Sequence, residues 1–153
     1  MHCCDRSVPP RIVVVCGSCT TPAQSNHVHL VCEAEDASSL SRGMQGVCVR
    51  IAQALNGLWK RAGSIFADRF HCRQLKTPTE VRNTLKYVLL NGAHHGIRLL
   101  GGIDSFSSGS WFDGWSRPTG TLHLALRSCP FPPAKSFLMT VGWRKRGLIE
   151  RPF

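Results

Sequence analysis

The spacing of apolar and polar residues divides the chain into a short series of elements. Arg11 to Cys16 is a β-branched apolar run and predicts a buried strand. Residues 17–25 are rich in Gly, Ser, Thr and Pro and predict a loop. His27 to Glu33 predicts a second strand, with Val28 and Leu30 facing a core. Asp36 to Ser39 offers N-cap residues. Leu40, Met44, Val47, Ile51, Leu55, Leu58 and Trp59 then recur at three- and four-residue steps, which predicts an amphipathic helix of about five turns. Gly63 is its expected end. Ser64 to Leu75 reads as an extended segment or strand. Thr77-Pro78-Thr79-Glu80 combines a Thr cap, a Pro at the first helical position and a Glu that completes a capping box. The helix it starts runs from Val81 to about Leu90 and stops at Asn91-Gly92. From residue 98 the periodicity dissolves into Gly, Ser, Trp and Pro. That part is expected to be a poorly packed tail with one short element near Phe137 to Trp143.

Composition narrows the function. Lys and Arg number 19 against 9 Asp and Glu, a net charge of +10 that points to a polyanionic partner, nucleic acid first. No run approaches the roughly 18 apolar residues of a membrane-spanning helix. Ile12 to Cys16 is too short for the apolar region of a signal peptide. The expected setting is therefore the cytoplasm, nucleoid-associated when the chain is bound to DNA, with its eight cysteines reduced. Cys16-Gly-Ser-Cys19 has the spacing of half a zinc site, but no second close pair completes it. Scattered small apolar residues are the simpler account of the cysteines.

Two features could carry chemistry. In Asn26-His27-Val28-His29-Leu30, strand alternation puts His27 and His29 on one face, where two imidazoles can share a divalent ion if a third ligand approaches. A pair of surface histidines on an edge strand is the alternative. Glu33 shares that face. Tyr87 is the one tyrosine of the chain and lies mid-helix, with Asn91 one turn later. A tyrosine hydroxyl can act as a nucleophile and form a covalent intermediate. A boundary tyrosine that packs its ring and wets its hydroxyl is the alternative.

Taken as an ordered series, these segments resemble a known family. Asn-His-hydrophobic-His-Leu is followed by an amphipathic helix, Gly63, Phe66-Ala67-Asp68-Arg69-Phe70-His71, and a helix carrying Tyr87-Val88-Leu89-Leu90-Asn91. The series, over roughly residues 25–97, resembles the single-tyrosine HUH transposases, in particular the REP-associated tyrosine transposase group. His27 and His29 look like the family's metal pair, Tyr87 like its nucleophile, and Asn91 like its polar third ligand. The family's usual Asn-Pro is Asn91-Gly92 here. Ser105 to Gly109 and Trp111 to Trp115 also look like a tail found in a subgroup of the family.

The resemblance implies an enzyme that cuts and rejoins single-stranded DNA beside a hairpin. The tyrosine oxygen would attack a phosphate and stay joined to the 5′ end, with Mg²⁺ or Mn²⁺ on a non-bridging phosphate oxygen. A dication offsets charge building at phosphorus. A phenol ionises near pH 10 in water, with an unperturbed pKa of about 10, so the nucleophile needs help to lose its proton. Lys60, Arg61, Arg69, Arg73, Lys76, Arg82 and Lys86 fit a DNA path, with Phe70 and Trp59 as surfaces for unpaired bases. A homodimer is a further expectation.

The implied fold is α+β, a ferredoxin-like antiparallel sheet backed by helices over residues 11–97, with an irregular C-terminal tail over 98–153. The family normally opens with a further strand and helix. Only 26 residues precede His27 here and they supply one strand, so an N-terminal strand and helix are expected to be missing, leaving an unpaired sheet edge. Two readings compete with the enzyme. One is a catalytically inactive, truncated remnant that only binds nucleic acid. The other is a small zinc protein using Cys16, Cys19, His27 and His29.

Overall fold

The strand nearest the start of the chain becomes the middle of the sheet. In a computed structural model that describes residues 11–18, 27–94, 103, 107–117 and 129–151, β1 (Arg11–Ser18) pairs antiparallel with β2 (His27–Ala34) on one side and with β3 (His71–Leu75) on the other. The strand order is β2-β1-β3. The β-branched run Ile12 to Val15 has the intrinsic preference for extended backbone that a strand needs. The architecture is a mixed one of helix and antiparallel sheet. The chain divides into two compact units, residues 1–75 and 76–153.

In the first unit one helix covers one sheet face. Helix α1 (Ala37–Trp59) is started by Asp36, whose side chain accepts the Ser39 N–H at 2.6 Å. That hydrogen bond holds the Asp36 carboxyl below its ordinary value. Its stabilising effect is present above the ordinary carboxylate range and is lost as pH falls through the lowered value. Leu40 and Met44 are buried, and Leu30, Cys32, Ala34, Cys48, Phe70 and Cys72 pack against them. Even-numbered positions of β2 therefore face α1, and its odd-numbered positions lie on the other face. Cys32, Cys48 and Cys72 behave here as the small apolar residues expected of them.

Four expectations for this unit are corrected. The apolar stripe of α1 is continuous, yet only its first half is buried, and Leu58 is 73% exposed. A 23-residue helix is about 35 Å long while an 8-residue strand spans about 26 Å, so α1 outruns its sheet. Val28, at the start of β2, is likewise 37% exposed and not core. Gly63 does not end the helix. Lys60 does, in the left-handed conformation (φ 47°), with its N–H on the Asn56 carbonyl. Gly63 takes a positive φ of its own in the following turn, where Asn56 Nδ2 donates to its carbonyl at 2.9 Å. The strand expected from Ser64 is confined to His71–Leu75.

The second unit starts with α2 (Pro78–Leu89). Its capping box is complete. Thr77 Oγ1 accepts the Glu80 N–H, and Glu80 Oε2 accepts the Thr77 N–H at 3.1 Å. Thr77→Ala is expected to cost about 1 kcal/mol, within a range of roughly 0.5–2. Thermal melting checks this, and an unchanged midpoint would show that packing and not the cap holds the helix start. Val81, Leu85 and Leu89 are buried, as their spacing predicts, and Leu90 is buried as well. Asn91 begins a single separate turn, α3 (Asn91–His94), after Leu90 leaves helical geometry.

The described residues after 98 are not poorly packed. They are irregular, as expected, built from 3₁₀ turns at Ser108–Trp111 and Trp143–Arg146 and a π-type turn at Leu138–Gly142. Yet Trp143, Trp115 and Ile149 are buried. Phe112 stacks on Trp143 with centroids 5.4 Å apart and meets Trp115 edge-on at 5.2 Å. Trp115 Nε1 donates to the Gly109 carbonyl at 2.8 Å, and Trp143 Nε1 to that of Met139 at 2.9 Å. Ile149 and Trp115 form a parallel bridge, with Ser116 N–H on the Ile149 carbonyl and Ile149 N–H on that of Gly114. Aromatic rings with satisfied N–H groups supply the core that a periodic pattern would otherwise announce. Helix α2 packs on the Trp143–Arg146 turn.

Candidate functional site

The two histidines of β2 stand together. His27 and His29 are two residues apart on the face turned away from α1, with ring centroids 4.6 Å apart in an edge-on arrangement. Val28 between them faces the opposite way, so the pleat alone brings the imidazoles side by side. Both are half-buried. Glu33 is on the same face further along β2, at the register position of Ile12.

The neighbouring strands extend this face. His29 is the register partner of Cys16 on β1, and Cys16 is also the partner of His71 on β3. The next row is Val31, Val14 and Arg73. His71 and Arg73 are exposed and share the histidine face. Sequence reading assigned no role to His71. Its only signal is the period-two spacing with Arg73, because which strand it meets is decided by pairing. Cys19, half of the possible zinc spacing, lies outside the described residues.

Tyr87 belongs to the second unit, on the exposed side of α2. It is 47% exposed beside the buried stripe of Val81, Leu85 and Leu89, the boundary place that helix geometry predicts. Asn91 follows it at the start of α3. Its Oδ1 is buried and has no hydrogen-bond partner among the described residues. An amide oxygen in that condition favours an added donor or cation, since a buried acceptor left unsatisfied costs free energy.

These residues bear on the divalent ion that the resemblance implies. Two imidazoles on one strand face form a suitable pair of donors. The imidazoles belong to the first unit and the amide to the second. Among the described residues, no three His, Cys, Asp or Glu side chains converge as a metal-binding group.

The expected DNA contacts divide by what each side chain does. Lys60, Arg69, Arg73, Lys76 and Lys86 are exposed. Arg61 is exposed too, and its Nη2 donates to the Ser64 carbonyl at 3.2 Å. Arg82 has a structural task, donating through Nε and Nη2 to the carbonyls of Gly147 and Leu148 at 2.7 and 2.8 Å. Of the two aromatics expected to meet bases, Trp59 is 45% exposed, while Phe70 is engaged with the Leu40–Met44 cluster. No helix among the described residues is long and apolar enough to cross a membrane. No protein-family model matches the chain, and no match was found among curated proteins or solved structures.

Proposed function

We propose that the chain is a DNA strand transferase of the single-tyrosine HUH type, cutting and rejoining single-stranded DNA through a 5′-phosphotyrosine. The observation that carries this reading is the His27–His29 pair on one sheet face, in a chain whose one tyrosine is exposed on a firmly capped helix. The sheet, on this reading, is the remnant of a ferredoxin-like one.

His27 and His29 would supply imidazole donors to the ion, which when bound supplies positive charge to a phosphate oxygen. Two imidazoles favour Mn²⁺ over Mg²⁺, which prefers oxygen donors and keeps its waters. Tyr87 Oη attacks phosphorus, the bond to the 3′ oxygen breaks, and the 5′ phosphate stays on the tyrosine. The 3′ oxygen leaves with a proton. Rejoining is the same exchange reversed, so no nucleotide hydrolysis is needed. Arg73, on the same sheet face as the histidines, would contact a phosphate bound there on this reading.

The test is an adduct assay. The protein is incubated with single-stranded hairpin oligonucleotides and Mn²⁺ and run on a denaturing gel. A Mn²⁺-dependent protein–DNA band supports the reading, and its absence from folded, DNA-binding protein moves the conclusion to binding without chemistry. The exposed basic residues favour that second reading as well as the first. Binding should weaken with salt, and each phosphate-contacting residue removed should reduce the slope of log affinity against log salt by about 0.7 for single strands. Lys60→Ala and Arg69→Ala check this by titration at several salt concentrations. A salt-independent affinity would exclude both nucleic-acid readings.

A further inference from the structure

Arg82 ties a basic turn to α2. It donates through Nε to the Gly147 carbonyl at 2.7 Å and through Nη2 to that of Leu148 at 2.8 Å. Both carbonyls directly follow the turn Trp143–Arg146. Two donors of one planar guanidinium fix two adjacent carbonyls, so the turn is held in place against the helix. Lys86, one helical turn beyond Arg82 and exposed, adds a cation on the same side.

The three basic residues of the turn are not equivalent. Arg144 pairs with Asp113, donates to the Thr140 carbonyl and lies over the Trp143 ring. Lys145 and Arg146 are exposed. The Lys145 ammonium stands 5.4 Å from the centroid of the Phe137 ring, and Phe137 is 59% exposed. A nucleotide of an unpaired strand matches such a pair, its phosphate meeting the ammonium and its base the ring. From Lys135 to Arg151 the chain has five Lys and Arg against one acid, Glu150.

We propose that Lys145, Arg146 and Phe137 form a surface of the second unit that binds single-stranded nucleic acid, with Arg82 as the positioning residue that holds it against the helix bearing Tyr87. The occupant is a polyanion with unpaired bases and not a lipid surface. The turns that carry the site are five and four residues long, too short for the amphipathic helix with which a chain lies in a membrane interface. This inference rests on the nucleic-acid part of the reading above and not on tyrosine chemistry. It also gives Arg82 a different part from the phosphate contact that the sequence suggests, because its donors are engaged by carbonyls.

The test is a titration of the full chain with a fluorescently labelled oligothymidine single strand, and with a duplex of the same length, at several salt concentrations. Lys145→Ala and Arg146→Ala should each reduce the slope of log affinity against log salt by about 0.7 for the single strand. Phe137→Ala should weaken single-strand binding by roughly 5- to 100-fold, the equivalent of one stacked base, with its salt slope and duplex affinity as in the parent. Arg82→Ala should weaken binding in the parent and have no further effect once Lys145 and Arg146 are both alanine, since a residue acting through others loses its effect with them. A further fall of about 0.7 in slope in that background would make Arg82 a phosphate contact and overturn its positioning role. Circular dichroism checks folding. Lys145, Arg146 and Phe137 are exposed, so their variants keep the test decisive if Arg82→Ala fails to fold. The surface is overturned by unaltered slopes in Lys145→Ala and Arg146→Ala, by Phe137→Ala binding the single strand as the parent does, or by an equal loss on the duplex. Phe137-dependent binding to vesicles of anionic phospholipid, without binding to oligothymidine, would assign the surface to a membrane instead. The expected effects without any protein–DNA adduct would sink the strand-transferase reading alone. An adduct in the parent, with all these variants binding as the parent does, would sink this inference alone.

Discussion

Tyr87→Phe should abolish the covalent protein–DNA band and leave DNA affinity within about twofold. The asymmetry follows from what is removed. A phosphotyrosine needs the phenolic oxygen itself, so without it the chemical step has no nucleophile and the loss is total. On the proposed reading, binding would rest on the basic residues and the ring. Tyr87 is 47% exposed, and a surface change of one hydroxyl is worth no more than about 0.5 kcal/mol, or roughly twofold in affinity. Denaturing gels read the first quantity and a binding titration the second. A band of undiminished intensity in Tyr87→Phe would assign the adduct to another residue and end the tyrosine reading. A tenfold loss of affinity would mean that the hydroxyl holds DNA and that loss of the band is secondary. His27→Ala and His29→Ala should lower the band while preserving Tyr87, and extra Mn²⁺ should restore it in part if the pair holds the ion.

The largest effect on stability is expected in the second unit. Trp143→Ala should destabilise it by about 3–5 kcal/mol, the range for removing a large aromatic side chain from a core. Trp143 is 1% exposed, stacks on Phe112, and satisfies its indole N–H with the Met139 carbonyl. Arg144 lies over its ring at 4.8 Å and pairs with Asp113. The change would leave a cavity among these groups and loosen the turn that packs on α2. Such a loss is a large fraction of the whole stability of a small domain. Gly114→Ala tests the same core from the opposite direction. A Cβ there would collide with Trp143 and Phe112, so overpacking should cost about 1–3 kcal/mol or more. Denaturant unfolding measures both variants. If Trp143→Ala melts as the parent does, the aromatic cluster is not a core and the segment after residue 98 is the loose tail that its composition suggests.

The elements that could be read in advance share a physical property. The start of α2 rests on four consecutive residues, Thr77 to Glu80, whose side chains and backbone satisfy one another. Nothing distant is needed, so a local motif sufficed. The shared face of His27 and His29 follows from the two-residue pleat, again a local matter. The end of α1 was misplaced for a related reason. Gly63 is the better left-handed residue by intrinsic preference, but Lys60 takes that conformation because its N–H can close on Asn56. Capping is decided by which carbonyl is in reach as well as by propensity.

Other features are invisible without pairing partners. The apolar stripe of α1 says where a helix could be buried and not how much sheet there is to bury it. Leu58 and Trp59 satisfy the period and are exposed, since the strands beneath are shorter than the helix. The segment around Trp143 has no period at all. Its core is assembled from Phe112, Trp115, Trp143 and Ile149, which meet through ring contacts and a single bridge between separated turns.

The sequence by itself determined the local chemistry: the capped helix that carries Tyr87, the imidazole pair on β2, the basic charge, and the apolar run that makes β1 a strand. Only the tertiary structure decided where that strand goes. Insertion of β1 between β2 and β3 sets the register that aligns Cys16 with both His29 and His71. A strand's side-chain period fixes which residues share a face. Which residues of other strands lie opposite them depends on long-range hydrogen bonding, which no local pattern encodes.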